Sequence, residues 1–178
     1  MQALEFAVLD GIQALLQCKV LDSFFVLTSW ICDHGEIWIV IALLLAAWKK
    51  TRRFGLAMGL SLLIEFIACD NFLKPLFGRV RPYMLKDSVQ ILIPPPGGAS
   101  FPSGHTGVSF AAVSGLYHSG CRGWKWALVL AALISFGRLY LYVHWPSDVL
   151  GGIAVGWISG WLGNFVISKV SKRLEQRK

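Results

Sequence analysis

Three short polar stretches carry residue types that act together on phosphate. Lys74 opens Lys-Pro-Leu-Phe-Gly-Arg-Val-Arg-Pro, ending at Arg81-Pro82; Pro102-Ser103-Gly104-His105 comes next; Arg138, His144 and Asp148 complete the set. Each borders a long apolar run, and ionisable groups set against hydrocarbon are costly enough to mark function. Arg offers a planar fork that two phosphate oxygens can share, and Lys offers a point charge. Such fixed cations bind a phosphate ester and stabilise the charge that develops on its oxygens during transfer.

Each stretch also has a plainer reading. Lys74 and Arg81 fit phosphate binding, and they fit equally well with snorkelling at a membrane boundary. Pro102-Ser103-Gly104 at a helix start presents unpaired backbone N–H groups to an anion, with His105 beside it able to give a proton to a leaving oxygen. Capping by Ser103 would explain the serine but not the imidazole. Pro146 marks another helix start, with Asp148 in its first turn and His144 just before it, so Asp148 can fix the imidazole tautomer and leave the other ring nitrogen free to attack. Complementing the helix dipole would account for Asp148 alone, but not for Arg138 and His144 with it.

The elements that must position these groups are membrane helices. The 178 residues suit a single domain; 55% are hydrophobic and only 15% charged, and mean hydropathy is +0.57. That is not the composition of a soluble globule, and the unbroken Leu/Ile/Val/Ala/Gly runs exclude the alternation of a membrane barrel. A net charge of +7 is therefore not read as nucleic-acid binding. The start, Met1 to Glu5, lacks a cationic segment and so does not resemble a cleaved signal peptide. Four cysteines show no paired spacing and read as small hydrophobes.

In chain order, residues 2–17 form an amphipathic helix with Glu5 on its polar face. A short helical hairpin is expected over 21–48, then helices over 54–77, 103–119, 124–142 and 147–170, with a Pro/Gly-rich loop at 78–101. The expected fold is all-α: a polytopic membrane helical bundle of about six transmembrane helices after the amphipathic start. Lys49, Lys50, Arg52, Arg53, Arg122, Lys125 and the basic tail through Arg177 and Lys178 then share one side, which the positive-inside rule makes cytoplasmic. Both termini fall inside and the polar stretches outside. Arg79 and Lys86 read as boundary residues, Trp38 and Trp145 as part of an aromatic belt, and Asp33, His34 and Glu36 as a polar turn in preference to a metal site. Asp70 stands four residues from Lys74, a spacing that allows an ion pair.

The three stretches resemble the signature of the type 2 phosphatidic acid phosphatase family, which shares its core with vanadium-dependent haloperoxidases: K-x6-R-P, P-S-G-H, and S-R-x5-H-x3-D. Order and spacing match over about the last two thirds of the chain; the serine before the third-stretch arginine is Gly137 here. The resemblance implies that His144 is a nucleophile forming a phosphohistidine, that Asp148 orients it, and that His105 is the general acid. It implies that Lys74, Arg81, Arg138, Ser103 and the Gly104 amide hold phosphate oxygens, with no metal or cofactor. The expected substrate is a lipid phosphate in the bilayer of a bacterial cytoplasmic membrane: undecaprenyl diphosphate, or else phosphatidylglycerophosphate or phosphatidate. A non-catalytic lipid-binding or transport protein and a soluble-type haloperoxidase are the rivals.

Overall fold

Backbone polar groups in hydrocarbon must be satisfied within their own segment, so long apolar runs become helices. In this computed structural model, which describes residues 2–33 and 35–176, no strand occurs among the described residues. The helices are α1 (Gln2–Leu16), α2 (Lys19–Ile31), α3 (Glu36–Ala47), α4 (Arg52–Phe66), α5 (Lys74–Phe77), α6 (Gly104–Ser119), α7 (Trp124–Tyr140) and α8 (Pro146–Glu175). A π-helical stretch, Ile67–Leu73, joins α4 to α5, and a 3₁₀ turn, Pro82–Leu85, follows. Met1, His34, Arg177 and Lys178 lie outside the described residues, so the polar turn and the basic tail are seen only in part.

The path from Arg52 and the path from Pro146 are each long and apolar enough to cross a bilayer, and α2 with α3 qualifies only as a pair. Those two helices change direction by 54°, far short of the reversal that the expected hairpin needs. Cys18 N–H reaches the Tyr140 hydroxyl at one end of the bundle, and Gly55 of α4 packs on Ala42 and Ala46 of α3 towards the other. The chain thus traverses the bundle once between α1 and α4.

α1 and the far half of α8 lie at opposite ends of the bundle. α1 lies against the loop after α5 and the start of α8: Lys86 Nζ donates to Asp10 at 2.6 Å, and Ser147 N–H donates to Glu5 at 3.1 Å. The far half of α8 sits beside the start of α4 instead, where Arg53 donates to Ser168 at 3.1 Å. The helix reading of α1 holds, but its polarity is turned about. Glu5 is buried against protein while Leu4 and Leu15 are exposed. A polar stripe predicts a face but not whether water or protein meets it.

α6 is the central helix, packed by α4, α7 and α8. Its contact with α8 is a glycine seam. A methyl built on Gly156 would stand 2.8 Å from the Ala111 nitrogen, and one on Gly152 would stand 2.7 Å from the Ser103 carbonyl oxygen. Gly160 meets Ser114 in the same way. Small residues every fourth position let membrane helices approach to backbone contact. Gly137 has a comparable cause: a methyl there would meet Phe25 of α2 at 2.8 Å, so the serine of the family pattern does not fit under this ring. Trp38 and Trp145 are buried, with indole N–H groups donating to Ser109 and the Val80 carbonyl at 3.0 and 2.9 Å, and neither belongs to a lipid-facing belt.

Gly156→Val should therefore destabilise the detergent-solubilised protein by about 2 kcal/mol, in the range expected for overpacking. Ile158→Val, on the exposed side of the same helix, should leave the thermal unfolding midpoint almost unchanged.

Candidate active site

The three polar stretches meet at one end of the bundle. Lys74, Arg81, Gly104, His105, Arg138 and His144 all line a single cavity of about 760 Å³. The π-helical stretch delivers Lys74: its backbone N–H reaches back to the Cys69 carbonyl, the wide spacing of a π turn. Its ammonium lies over the first turn of α6, 3.2 Å from where a Gly104 methyl would be. The expected ion pair with Asp70 is formed.

Arg81 is buried and held by neutral acceptors. It donates to the carbonyls of Gly97 and Val143 at 3.0 Å and of Gly98 at 3.3 Å. The Pro/Gly-rich loop is thus a backbone clamp on a guanidinium. Arg138, also buried, donates to Ser29 at 2.6 Å and lies 3.5 Å from His105 Nε2. Its Nε has no hydrogen-bond partner. A buried donor without an acceptor is rare and costly, and an anion in the cavity would supply one.

His144 sits in the connection between α7 and α8. Its Nε2 is 3.2 Å from Arg81 Nη1, and its Nδ1 is 3.4 Å from Asp148 Oδ2. Burial pushes the imidazole down from its ordinary value to about 4, and Arg81 and Arg138 act the same way, while the Asp148 hydrogen bond opposes them. Nδ1 faces the Asp148 carboxylate and Nε2 faces Arg81 at the cavity, an arrangement that suits a neutral ring carrying its proton on Nδ1. Asp148 is fully buried. The same carboxylate accepts the Trp145 N–H at 2.8 Å and the Ser100 hydroxyl. Asp148 thus contacts both the start of α8 and the His144 ring.

At the start of α6, Ser103 makes no side-chain cap. Its hydroxyl is buried and accepts from Thr106 at 3.1 Å, and Ser103 is not among the residues lining the cavity. The Gly104 end of the helix, with His105 behind it, faces the cavity instead. Asp33 lies 3.9 Å from His105 Nε2. No cluster of three or more His, Cys, Asp or Glu side chains suited to a metal occurs among the described residues.

Two partners escaped the sequence reading. Arg79, read as a boundary residue, donates to Asp148 Oδ1 at 2.7 Å and to Glu5 at 2.7 Å. Lys86 pairs with Asp10. Residues 78–81 are not helical, and strand alternation would put Arg79 and Arg81, two residues apart, on one side. The chain instead sends Arg81 to the cavity and Arg79 to Glu5 and Asp148, a separation that the local pattern does not signal.

Comparison with known proteins follows the same lines. The PAP2 superfamily profile matches residues 50–172. An undecaprenyl-diphosphatase of Sulfolobus acidocaldarius is 36% identical over 69% of this chain and 60% of its own length. A lipid A 4'-phosphatase of Porphyromonas gingivalis is 33% identical over 87% of this chain and 68% of its own. Among solved structures, a transmembrane PAP2-type phosphatidylglycerolphosphate phosphatase from Bacillus subtilis superposes with a TM-score of 0.76 at 23% identity, covering 95% of this chain and 87% of that one, a likeness of fold. With the three signature stretches gathered on one cavity at the end of a helical membrane bundle, the chain belongs to the PAP2 superfamily.

Proposed function

We propose that this protein is an integral membrane lipid phosphatase of a bacterial cytoplasmic membrane that hydrolyses a lipid diphosphate, undecaprenyl diphosphate, to the lipid monophosphate and phosphate. The observation that carries the proposal is the shared cavity. Its polar end holds Lys74, Arg81, His105, Arg138 and His144, and its lining continues to Ile39, Leu43, Leu62, Leu63 and Phe66. A phosphoryl group fits the first part and an acyl or prenyl chain the second. Relatives named undecaprenyl-diphosphatase support the diphosphate. Relatives named for lipid A and a structure named for phosphatidylglycerolphosphate favour a monoester as the second reading.

In this mechanism Lys74, Arg81 and Arg138 hold the equatorial oxygens, with the Gly104 amide at the helix N-terminus. His144 Nε2 forms a bond to phosphorus as the bond to the leaving oxygen breaks, and protonated His105 gives that oxygen its proton. Charge gained by the His144 ring is balanced by Asp148. Water then attacks the phosphohistidine, His105 takes its proton back, and the P–N bond opens to release phosphate. The chain's own cations supply the oxyanion stabilisation.

Purified protein in detergent should release phosphate, and His144→Ala should reduce turnover by about 10³-fold or more while lipid phosphate binding persists. Equal release by both proteins would refute the nucleophile, and no release by wild type on undecaprenyl diphosphate, phosphatidylglycerophosphate or phosphatidate would favour a binding or transport role. The highest kcat/KM in that panel identifies the substrate.

The neutral form of His144 is the nucleophile, and its value lies near 4, below the ordinary 6.5. This form therefore persists as pH falls through 6.5 and is lost only towards 4. The acid limb of kcat/KM assigned to the free enzyme should lie below pH 5.5 once substrate ionisation is divided out. A limb at 6.5 would contradict the buried, neutral imidazole.

The proposed topology has α1 and the 78–101 loop outside, the basic loops and tail inside, and five traverses: α2 with α3, α4, α6, α7 and α8. In a Cys18→Ser background, Ser88→Cys and Gln2→Cys should react with an impermeant thiol reagent from the same side, and Lys172→Cys from the other. Labelling of Gln2→Cys with Lys172→Cys would restore the topology with both termini inside.

A further inference from the structure

Arg79 joins two carboxylates from opposite ends of the chain. One arm of its guanidinium donates to Asp148 Oδ1 at 2.7 Å and to the Ser147 hydroxyl at 2.5 Å, and the other donates to Glu5 Oε2 at 2.7 Å. The remaining Glu5 oxygen accepts the Ser147 N–H and O–H at 3.1 and 2.5 Å. The guanidinium also lies 5.2 Å over the buried Trp145 ring, whose backbone N–H is itself bound by Asp148. Glu5 is buried though its neighbour Leu4 is exposed. It also lies outside the stretch matched to the superfamily, which begins at residue 50.

We propose that Arg79 and Glu5 are positioning residues for phosphoryl transfer, acting through Asp148 on His144, so that the N-terminal helix is a working part of the active site. This rests on the reading of His144 as nucleophile and Asp148 as its orienting partner. Asp148 has one carboxylate oxygen for His144, Ser100 and the Trp145 N–H, and the other for Arg79. Arg79 therefore sets the rotation of the carboxylate and takes up part of its charge. Glu5 fixes the far arm of the fork, which only a planar, two-sided donor can fill.

The groups facing His144 give the arrangement a signature. Arg81, Arg138 and His105 stand on its cavity side and Asp148 behind it, with Arg79 beyond Asp148. Without Arg79 the Asp148 charge falls more fully on the imidazole and favours its protonated form. The neutral nucleophile is then lost at a higher pH than in wild type.

The test is kcat and KM against pH for the full chain in detergent, with Arg79→Gln, Arg79→Lys, Glu5→Gln, Asp148→Asn and Lys86→Gln. Lys86→Gln breaks the other ionic tether of the N-terminal helix, to Asp10, without touching Asp148. Arg79→Gln should lower kcat by about 10- to 100-fold, the scale of losing an outer partner that orients a working group, with KM changed less than threefold, and should move the acid limb upward. Arg79→Lys should recover part of kcat. Glu5→Gln should lower kcat less, and adding it to Arg79→Gln should cause little further loss, because the two act as one unit. Lys86→Gln should keep the wild-type pH profile. The inference is overturned if Arg79→Gln keeps the wild-type kcat and limb, if it matches Lys86→Gln, or if the Arg79 and Glu5 effects multiply independently. Asp148→Asn separates the failures. If it is inactive while Arg79→Gln is unaffected, only the positioning role falls. If Asp148→Asn is fully active, the His144–Asp148 reading falls with it.

Discussion

The constraint on which this structure depends is the crowding of like charges in a site of low polarity. Lys74, Arg81 and Arg138 line one cavity with two histidines. At an effective dielectric near 20, two unit charges 4 Å apart repel by about 4 kcal/mol, and such a group does not hold together by its own contacts. Its members are restrained one by one from outside. The Gly97, Gly98 and Val143 carbonyls fasten Arg81, Ser29 holds Arg138, and Asp70 sits on Lys74. Each restraint leaves a face towards the cavity. On the proposed reading, a doubly charged phosphoryl group entering there would relieve the repulsion among all the cations together, giving binding and electrostatic preorganisation one origin.

Asp148 shows how the same economy applies to negative charge. Its carboxylate ends α8 by accepting the Trp145 N–H and orients the His144 ring. The carboxylate in the first turn of α8 is thus also the one that faces the histidine ring. Any shift of α8 along its axis moves the imidazole with it. The Pro146 that initiates this helix belongs to the chemistry through that coupling, although it touches no substrate.

The site was more legible than the topology, for physical reasons. Lys74, Arg81, His105, Arg138 and His144 are ionisable groups bordering hydrocarbon, where chance placement is unfavourable, and their combination, more than any one of them, suggested phosphate. α2 and α3 carry no such mark. Each is too short to span alone, and helices of 13 and 12 residues read equally well as a hairpin or as one bent path. The difference of one traverse carries α1 to the opposite end. The Glu5 stripe was visible, but amphipathicity gives only the contrast between two faces. Here the apolar face, with Leu4 and Leu15, is the exposed one, and the acidic face is met by Arg79 and Lys86. Ser103 illustrates the converse: a serine at a helix start reads as a cap, yet its hydroxyl joins Thr106 and leaves the first turn uncapped.

The glycine seam between α6 and α8 links the fold to the chemistry most directly. His105 rides on the first turn of α6, and His144 stands just before the first turn of α8. Gly152 lies close to the Ser103 carbonyl and Thr106, beside His105 and about two turns along α8 from His144. Backbone contact at this point fixes the distance between the groups proposed to donate the proton and to attack phosphorus. Misplacement by about 1 Å can lower the rate of an oriented reaction by around two orders of magnitude. A side chain at Gly152 would separate the helices where the tolerance is smallest, while Gly160, farther along the same seam against Ser114, acts mainly on the stability of the bundle. Small residues in this seam therefore do two different jobs according to depth: near the cavity they set catalytic geometry, and away from it they let helices of modest length pack without a polar core.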